Sequence, residues 1–307
     1  MGRRWTSPDL TEACRYVLTG GGKRIRGVIV LLACEAAGSH ARRAIDAAAA
    51  VEVMHNFSLV HDDIMDHAQT RRGRPSVHAR WNVNTALLVG DVLLGLSYVS
   101  LARSQPHARV TALLTQALLE VCEGQALDLD FESRNNVTLP EYIHMIEKKT
   151  ARLLSLSAEL GAVIGGGSSR TTRALRRYGL HLGRAFQIQD DLLDVVADQK
   201  QFGKVIGGDI LERKKTFLLL TALQHIRGAD RTRLLRLMAA PRGDTRRDRR
   251  IVKAVADLYF AYGVPEAARR HIARESARAM AALDQLPGGR PADMLRWLAG
   301  VLVHRVA

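Results

Sequence analysis

Apolar side chains recur at spacings of three and four residues along most of the chain, most plainly from Val28 to Ala50, from Ala86 to Ala102 and from Thr111 to Leu129. That period lines one face of an α-helix, whereas the two-residue alternation of a half-buried strand is nowhere sustained. Breaks at 20–22, 71–76, 104–107, 134–140, 165–169, 203–208 and 241–244 divide the pattern into eight or more predicted helices. Ala-rich segments let helices approach closely and no crossover strand is available to build a sheet, so the expected class is an all-α antiparallel helical bundle. The 307 residues hold no long Pro/Gly/Ser-rich stretch, and a single domain over 1–307 is expected.

Composition changes this picture little, but charge adds a question. Hydrophobic residues at 47% and charged residues at 25% suit a packed core and exclude general disorder. The 45 Lys and Arg against 31 Asp and Glu leave +14, which points to nucleic acid, an anionic membrane or a polyphosphate-bearing substrate. Aromatic residues, at 5%, are too sparse for base-stacking platforms, so no nucleic-acid partner is expected, and Arg246, Arg247, Arg249 and Arg250 read as solvated surface. Cys14, Cys34 and Cys122 are odd in number and in no metal-ligand spacing, which suggests buried fillers in a reducing cytoplasm. Arg3 and Arg4 are not followed by an apolar core, so no secretory signal is expected, and no apolar run reaches the ~18 residues of a membrane span.

The chemistry concentrates in one short pattern that occurs twice. Asp62, Asp63 and Asp66 form a DDxxD, and Asp190, Asp191 and Asp194 form another. On a helix, residues four apart share a face, so Asp62 with Asp66 and Asp190 with Asp194 each present two carboxylates side by side. Leu59, Val60, Ile64 and Met65 surround the first set, and Ile188, Leu192, Leu193 and Val195 the second. Carboxylates crowded against apolar neighbours are costly without a cation, and oxygen-only ligands favour Mg2+, which keeps coordination positions for phosphate oxygens. Two such clusters facing each other would hold a diphosphate. Cations recur in suitable company: Gly21-Gly22-Lys23-Arg24-Ile25-Arg26 is a ready anion site at a helix start, Arg71 and Arg72 follow the first DDxxD, and Lys149, Lys204, Lys214 and Lys215 come later.

GGKRIR at 21–26, HNFSLVHDDIMD at 55–66, RRGRP at 71–75, GD at 90–91, EGQ at 123–125, KT at 149–150, FQIQDDLLD at 186–194, GK at 203–204 and GDILERKKT at 208–216 resemble the trans-isoprenyl diphosphate synthases in order and spacing. The likeness runs from about residue 20 to 220. One departure is Gly27, where many relatives carry proline. The resemblance implies an isoprenoid-synthase bundle around a central cavity, a Mg2+-dependent prenyltransferase with three ions per active site, and a cytoplasmic homodimer. Lys23, Arg26, His55 and Arg72 would bind isopentenyl diphosphate. Arg71, Lys149, Thr150, Gln187, Lys204 and Lys214 would bind the allylic diphosphate, Lys149 and Lys204 helping its ionisation. The metal site would comprise Asp62, Asp66 and Asp190, with Asp63, Asp191 and Asp194 orienting ligands, metal waters or neighbouring cations. Phe57 and Ser58, just upstream of the first DDxxD, would set chain length; an aromatic beside a small residue resembles geranylgeranyl diphosphate synthases, with farnesyl or longer products as the alternative.

A reading from another class rests on Glu52-Val-Met-His55 and Glu141-Tyr-Ile-His144, both with the Glu-x-x-His spacing of di-iron bundles. It explains neither DDxxD nor the basic motifs. A terpene cyclase would share one DDxxD without needing GGKRIR, and a non-catalytic partner subunit would be expected to have lost ligands that are all present here.

Overall fold

The computed structural model describes residues 7–196, 207–241 and 243–303. In chain order it contains α1 (Pro8–Leu18), α2 (Ile25–Ala36), α3 (Ile45–Met65), β1 (Thr70–Arg71), β2 (Arg74–Pro75), α4 (Val77–Arg80), α5 (Val83–Leu101), α6 (His107–Ser133), α7 (Leu139–Ile146), α8 (Arg152–Ile164) and α9 (Ser169–Val196). There follow α10 (Gly208–Leu211), α11 (Phe217–His225), α12 (Gly228–Ala239), α13 (Thr245–Ala261), α14 (Val264–Leu283) and α15 (Arg290–Val303). This is the all-α class that the periodicity predicts. The exception is a small hairpin inside the 71–76 break, where Arg71 pairs with Arg74 and Thr70 with Pro75. The apolar period at 28–50 also conceals a stop: Gly38 takes φ +95°, and a 3-10 turn at Ala41–Ala44 separates α2 from α3.

Local sequence sets the helix starts. Ser7, Asn82, Thr216 and Asp244 accept hydrogen bonds from first-turn N–H groups of α1, α5, α11 and α13. A full capping box opens α7, Thr138 Oγ1 accepting from Glu141 N while Glu141 accepts from Thr138 N at 2.8 Å. Between α7 and α8 the residues Glu147–Ala151 form a π-helical turn, a widened geometry frequent at functional sites.

The chain divides into two compact units. The first gathers the described residues up to Thr115 with Leu156–Leu175 and Leu286–Leu295; the second holds Gln116–Ser155, the described part of Arg176–Gln285 and the described residues from Arg296 on. In the first, α3 is the central helix, burying Ala47, Ala50, Val51, Met54, Phe57 and Val60 and packing chiefly on α5. Gly90 makes that approach possible, since a Cβ there would lie 2.0 Å from His61 Nε2. In the second, Leu182, Ile188, Phe217, Tyr259 and Ile272 are core residues, each large side chain worth roughly 1.5–3 kcal/mol when buried. Gly124 on α6 presses on the π turn, where a Cβ would come within 2.3 Å of Lys149 N.

One expectation needs correction. Cys14 and Cys34 are buried, but Cys122 is exposed; it follows buried Val121 on α6, and one residue turns a helix by about 100°. α5 has the length and mean hydropathy (1.5) of a membrane span, but Asn84 and Asp91 interrupt its apolar run, as expected from the sequence, and its buried face packs on α3.

Candidate active site

The last turn of α3 carries the first aspartate set. Asp62 and Asp66 are half-buried, and Asp66 N closes the helix on Asp62 O at 2.8 Å. Asp63 turns inward and is buried, its Oδ1 accepting from Arg71 Nε at 2.9 Å and Nη2 at 2.5 Å. Arg72 (φ +54°) and Gly73 (φ +73°) make the tight turn that brings Arg71 back. Burial raises the Asp63 pKa, and the Arg71 hydrogen bond and charge oppose it.

The basic loop before α2 joins this hairpin. Gly21 and Gly22 have φ of +80° and +119°, and Arg72 donates to Gly21 O at 2.6 Å. A Cβ on Gly22 would lie 3.0 Å from Arg72 Cζ, so the guanidinium rests against bare backbone. Arg24 donates to Leu18 O at 2.9 Å and pairs with Glu52 at 3.8 Å, while Glu52 accepts from Gly27 N at 2.8 Å. Proline at 27 could not make that bond, and any Cβ there would lie 3.2 Å from Glu52 Cγ. His55 stands near the same cations: burial first, then the charges of Arg26, Arg72, Arg71 and Arg24, hold its pKa well below the usual histidine range. A neutral imidazole among four guanidinium groups marks a surplus of positive charge that an anion would offset. Lys23 is exposed at the loop's edge. A small concavity beside the hairpin is lined by Asn56, Leu59, Asp63, Arg71 and Arg72 among others.

The second set sits on α9. Asp190 and Asp194 are half-buried, and Asp191 is buried, like Asp63, but among neutral donors. Its Oδ2 accepts from Tyr142 Oη at 2.6 Å and Phe217 N at 3.0 Å, and its Oδ1 from Gln187 Nε2 at 3.1 Å. Burial pushes its carboxyl up to about 6 against those three bonds. Asp194 accepts from Asp209 N at 3.0 Å, tying down the start of α10. Asp209 is itself held well above the carboxylate range by burial and then by the charges of Asp194 and Asp191. On the π turn, Lys149 Nζ donates to Asp128 at 2.5 Å and Thr150 Oγ1 to Gln187 Oε1 at 2.8 Å. Lys214 is half-buried beside Glu212 at 3.1 Å. Lys204 lies outside the described residues.

Behind this region Glu275 on α14 is 1% exposed and accepts from His181 Nδ1 at 2.8 Å, Arg278 at 2.6 Å and Arg184 at 3.4 Å. Arg184 also pairs with Glu147, the first residue of the π turn. Asp128, Tyr142, Glu147, Asp209 and Glu275 are supporting groups that motif reading did not single out. A signal existed for Asp209, inside GDILERKKT, but Glu275 lies in the C-terminal third, where no motif points. The Glu-x-x-His pairs also resolve: Glu52 staples α2 to α3, and Glu141 serves the α7 capping box and Arg134 at 2.6 Å, so both carboxylates have structural work.

The donors fit Mg2+. Among the described residues no three His, Cys, Asp or Glu side chains gather around one point. Half-buried pairs such as Asp62 with Asp66 supply hard oxygen donors without a full cage, and Mg2+ tends to keep positions for water and phosphate.

Residues 7–257 match the family model described as Polyprenyl synthetase. The chain is 38% identical over 303 residues to the short chain isoprenyl diphosphate synthase of Methanothermobacter thermautotrophicus, covering 98% of this chain and 91% of that protein. It is 34% identical to the geranylgeranyl diphosphate synthase of Sulfolobus acidocaldarius, covering 97% and 91%. The crystal structure of geranylgeranyl pyrophosphate synthetase from Pyrococcus horikoshii superposes with a TM-score of 0.92 at 39% identity, covering 97% of this chain and 90% of that one.

Proposed function

The chain belongs to the polyprenyl synthetase family and is a short-chain prenyltransferase, and from that premise we propose that it condenses an allylic diphosphate with isopentenyl diphosphate head-to-tail to give geranylgeranyl diphosphate. The observation that carries the reading is the gathering of Arg24, Arg26, Arg71 and Arg72 near His55, on the helix that ends in Asp62 and Asp66. Lys23, Arg26, His55 and Arg72 bind the isopentenyl diphosphate group. Lys149, Thr150, Gln187 and Lys214 bind the allylic diphosphate with Lys204, and Arg71 contributes its charge while fixing Asp63.

Asp62, Asp66 and Asp190 would hold Mg2+, three ions per site with diphosphate bound, and the metal would supply charge neutralisation at the leaving group. The chain's own part is electrostatic. Lys149, positioned by Asp128, and the guanidinium groups take up charge that develops on the departing diphosphate, and no nucleophilic side chain is needed. Apolar residues of α3 keep water from the allylic cation while the isopentenyl double bond attacks.

Product length is supported by Phe57 and by the relatives' names. Phe57 is buried, with its ring edge-on to His61 at 4.9 Å, and His61 is wedged against α5 with Nε2 3.2 Å from Leu87 O. Ser58 is small and bonds its own helix at His55 O, 3.0 Å away, one turn before Asp62. The family match running through both compact units supports one domain over 1–307. Exposed Val83, Leu87, Leu88 and Val99 on α5 suit pairing with a second copy, and the absence of disulfides among the described cysteines suits the cytoplasm. Incubation with isopentenyl diphosphate, Mg2+ and each allylic starter, followed by chromatographic sizing of the prenols, tests the reading: a twenty-carbon product is expected, and a product of fifteen carbons, or of more than twenty, overturns the length assignment.

A further inference from the structure

Residues 227–253 hold ten Lys and Arg against three Asp, a net +7 that is half the charge of the whole chain. Nothing in the condensation uses this surplus. The three aspartates are spent on local structure: Asp230 accepts from Tyr262 Oη, Asp244 caps α13 through Arg247 N, and Asp248 accepts from Gly243 N. On α13, Arg246, Arg249, Arg250 and Lys253 are exposed and line one open concavity with Thr245. At 100° per residue they fall within a stripe roughly 100° wide, opposite the buried Val255, Leu258 and Tyr259. Among the described residues, Lys253 has Asp257 at 3.0 Å, and Arg246, Arg249 and Arg250 have no acidic partner. The same stripe ends in Phe260, which is 50% exposed.

We propose that this stripe docks the enzyme on an anionic phospholipid bilayer. Guanidinium groups on one face match rows of lipid phosphates, and an exposed aromatic on that face can enter the headgroup layer beside them. Nucleic acid would use the same cations but would not need Phe260. If the product is the twenty-carbon diphosphate, the arrangement delivers a poorly water-soluble tail to the phase that accepts it. Docking itself does not depend on that product.

Each cation near such a surface contributes ~1 kcal/mol, or about fivefold in binding. The intact protein should co-sediment with vesicles of 30% phosphatidylglycerol in phosphatidylcholine, more weakly at high salt, and hardly with phosphatidylcholine alone. Replacing Arg246→Gln, Arg249→Gln and Arg250→Gln together should weaken binding roughly 100-fold. The charge-matched control Arg42→Gln, Arg43→Gln and Arg109→Gln should bind as the unaltered protein does, and Phe260→Ser should bind measurably less tightly. Prenol synthesis assayed without vesicles should be unchanged in all three variants, which certifies their folding and keeps the proposal separate from the reaction. Absence of vesicle binding by the unaltered protein overturns the proposal. So does equal loss in the two triple variants, or displacement from vesicles by a 20-nucleotide RNA at matched phosphate concentration, which would make the partner a nucleic acid.

Discussion

The two DDxxD motifs are alike in sequence and differ in how the protein treats the middle aspartate. At the end of α3, Asp63 is buried against a guanidinium, so charge meets charge. On α9, Asp191 is buried among a phenol, an amide and a backbone N–H, and burial lifts its carboxyl to about 6. In each motif, then, the middle aspartate fixes the local fold, whereas Asp62, Asp66 and Asp190, proposed above to hold Mg2+, stay half-buried, and half-buried Asp194 ties down the start of α10. The second region keeps its charge pairing a turn or more back, where Glu275 receives His181 and Arg184 from the same helix α9.

The largest expected effect separates outer from middle residues. Asp62→Ala or Asp190→Ala should lower kcat by ~100-fold or more while leaving the thermal melt in place, since each would remove a carboxylate proposed to hold the Mg2+ that neutralises the leaving group. Steady-state kinetics at saturating Mg2+ would dismiss the assignment if either variant kept near-normal turnover.

Glu275 tests where the second region holds its charge. Burial alone would raise its pKa, but the His181 hydrogen bond and the Arg184, His181 and Arg278 charges outweigh burial and hold it at about 2, below its ordinary 4.5. The folded carboxylate is favoured over the unfolded one, so its stabilisation is fully present above about pH 4.5 and is lost as pH falls toward 2. Glu275→Gln should cost about 3 kcal/mol near neutrality, and the gap to the unaltered protein should close between those pH values. Urea denaturation at pH 6 and pH 3 measures it; a gap that does not depend on pH would mean that Glu275 is held by packing alone.

Much of this was legible in the chain. Helical period, the DDxxD spacing and the GGKRIR and RRGRP motifs are local patterns, and the fold follows them. What the sequence hid is pairing across distance. The bond from Arg71 to Asp63 shows only once the hairpin turns the chain back, and that from Lys149 to Asp128 only once the π turn brings the two together. The Gly38 stop was hidden for a different reason: apolar residues continue on both sides of it, so the period alone shows no break.

The middle aspartates themselves give a smaller contrast. Asp63→Asn leaves Arg71, about one-third exposed, without its carboxylate and should cost about 1–3 kcal/mol. Asp191→Asn keeps an acceptor for Tyr142 and Phe217 N, and rotation of the Gln187 amide can meet the new NH2 because Thr150 Oγ1 can accept as well as donate. Its cost should stay below about 1 kcal/mol. Equal shifts of the two denaturation midpoints would erase the distinction between a charged and a neutral setting.

Gly27→Pro gives the smallest effect and probes how far charge pairing organises the first region. Position 27 is the third residue of α2, inside the first turn, where a missing N–H breaks no intrahelical bond. What proline removes is the bond from Gly27 N to Glu52, a hydrogen bond to a charged group worth about 1.5–3 kcal/mol. Against this, proline restricts the unfolded chain by about 0.4–1 kcal/mol, and its Cβ would sit 3.2 Å from Glu52 Cγ, close enough that the carboxylate must shift. The balance is a loss of about 1 kcal/mol, and it should vanish in a Glu52→Gln background if the Glu52 charge is what the glycine serves. A double-mutant cycle by chemical denaturation reads this directly. An unchanged loss in that background would show that the N–H matters for the turn into α2 and not for the ion pair between Arg24 and Glu52.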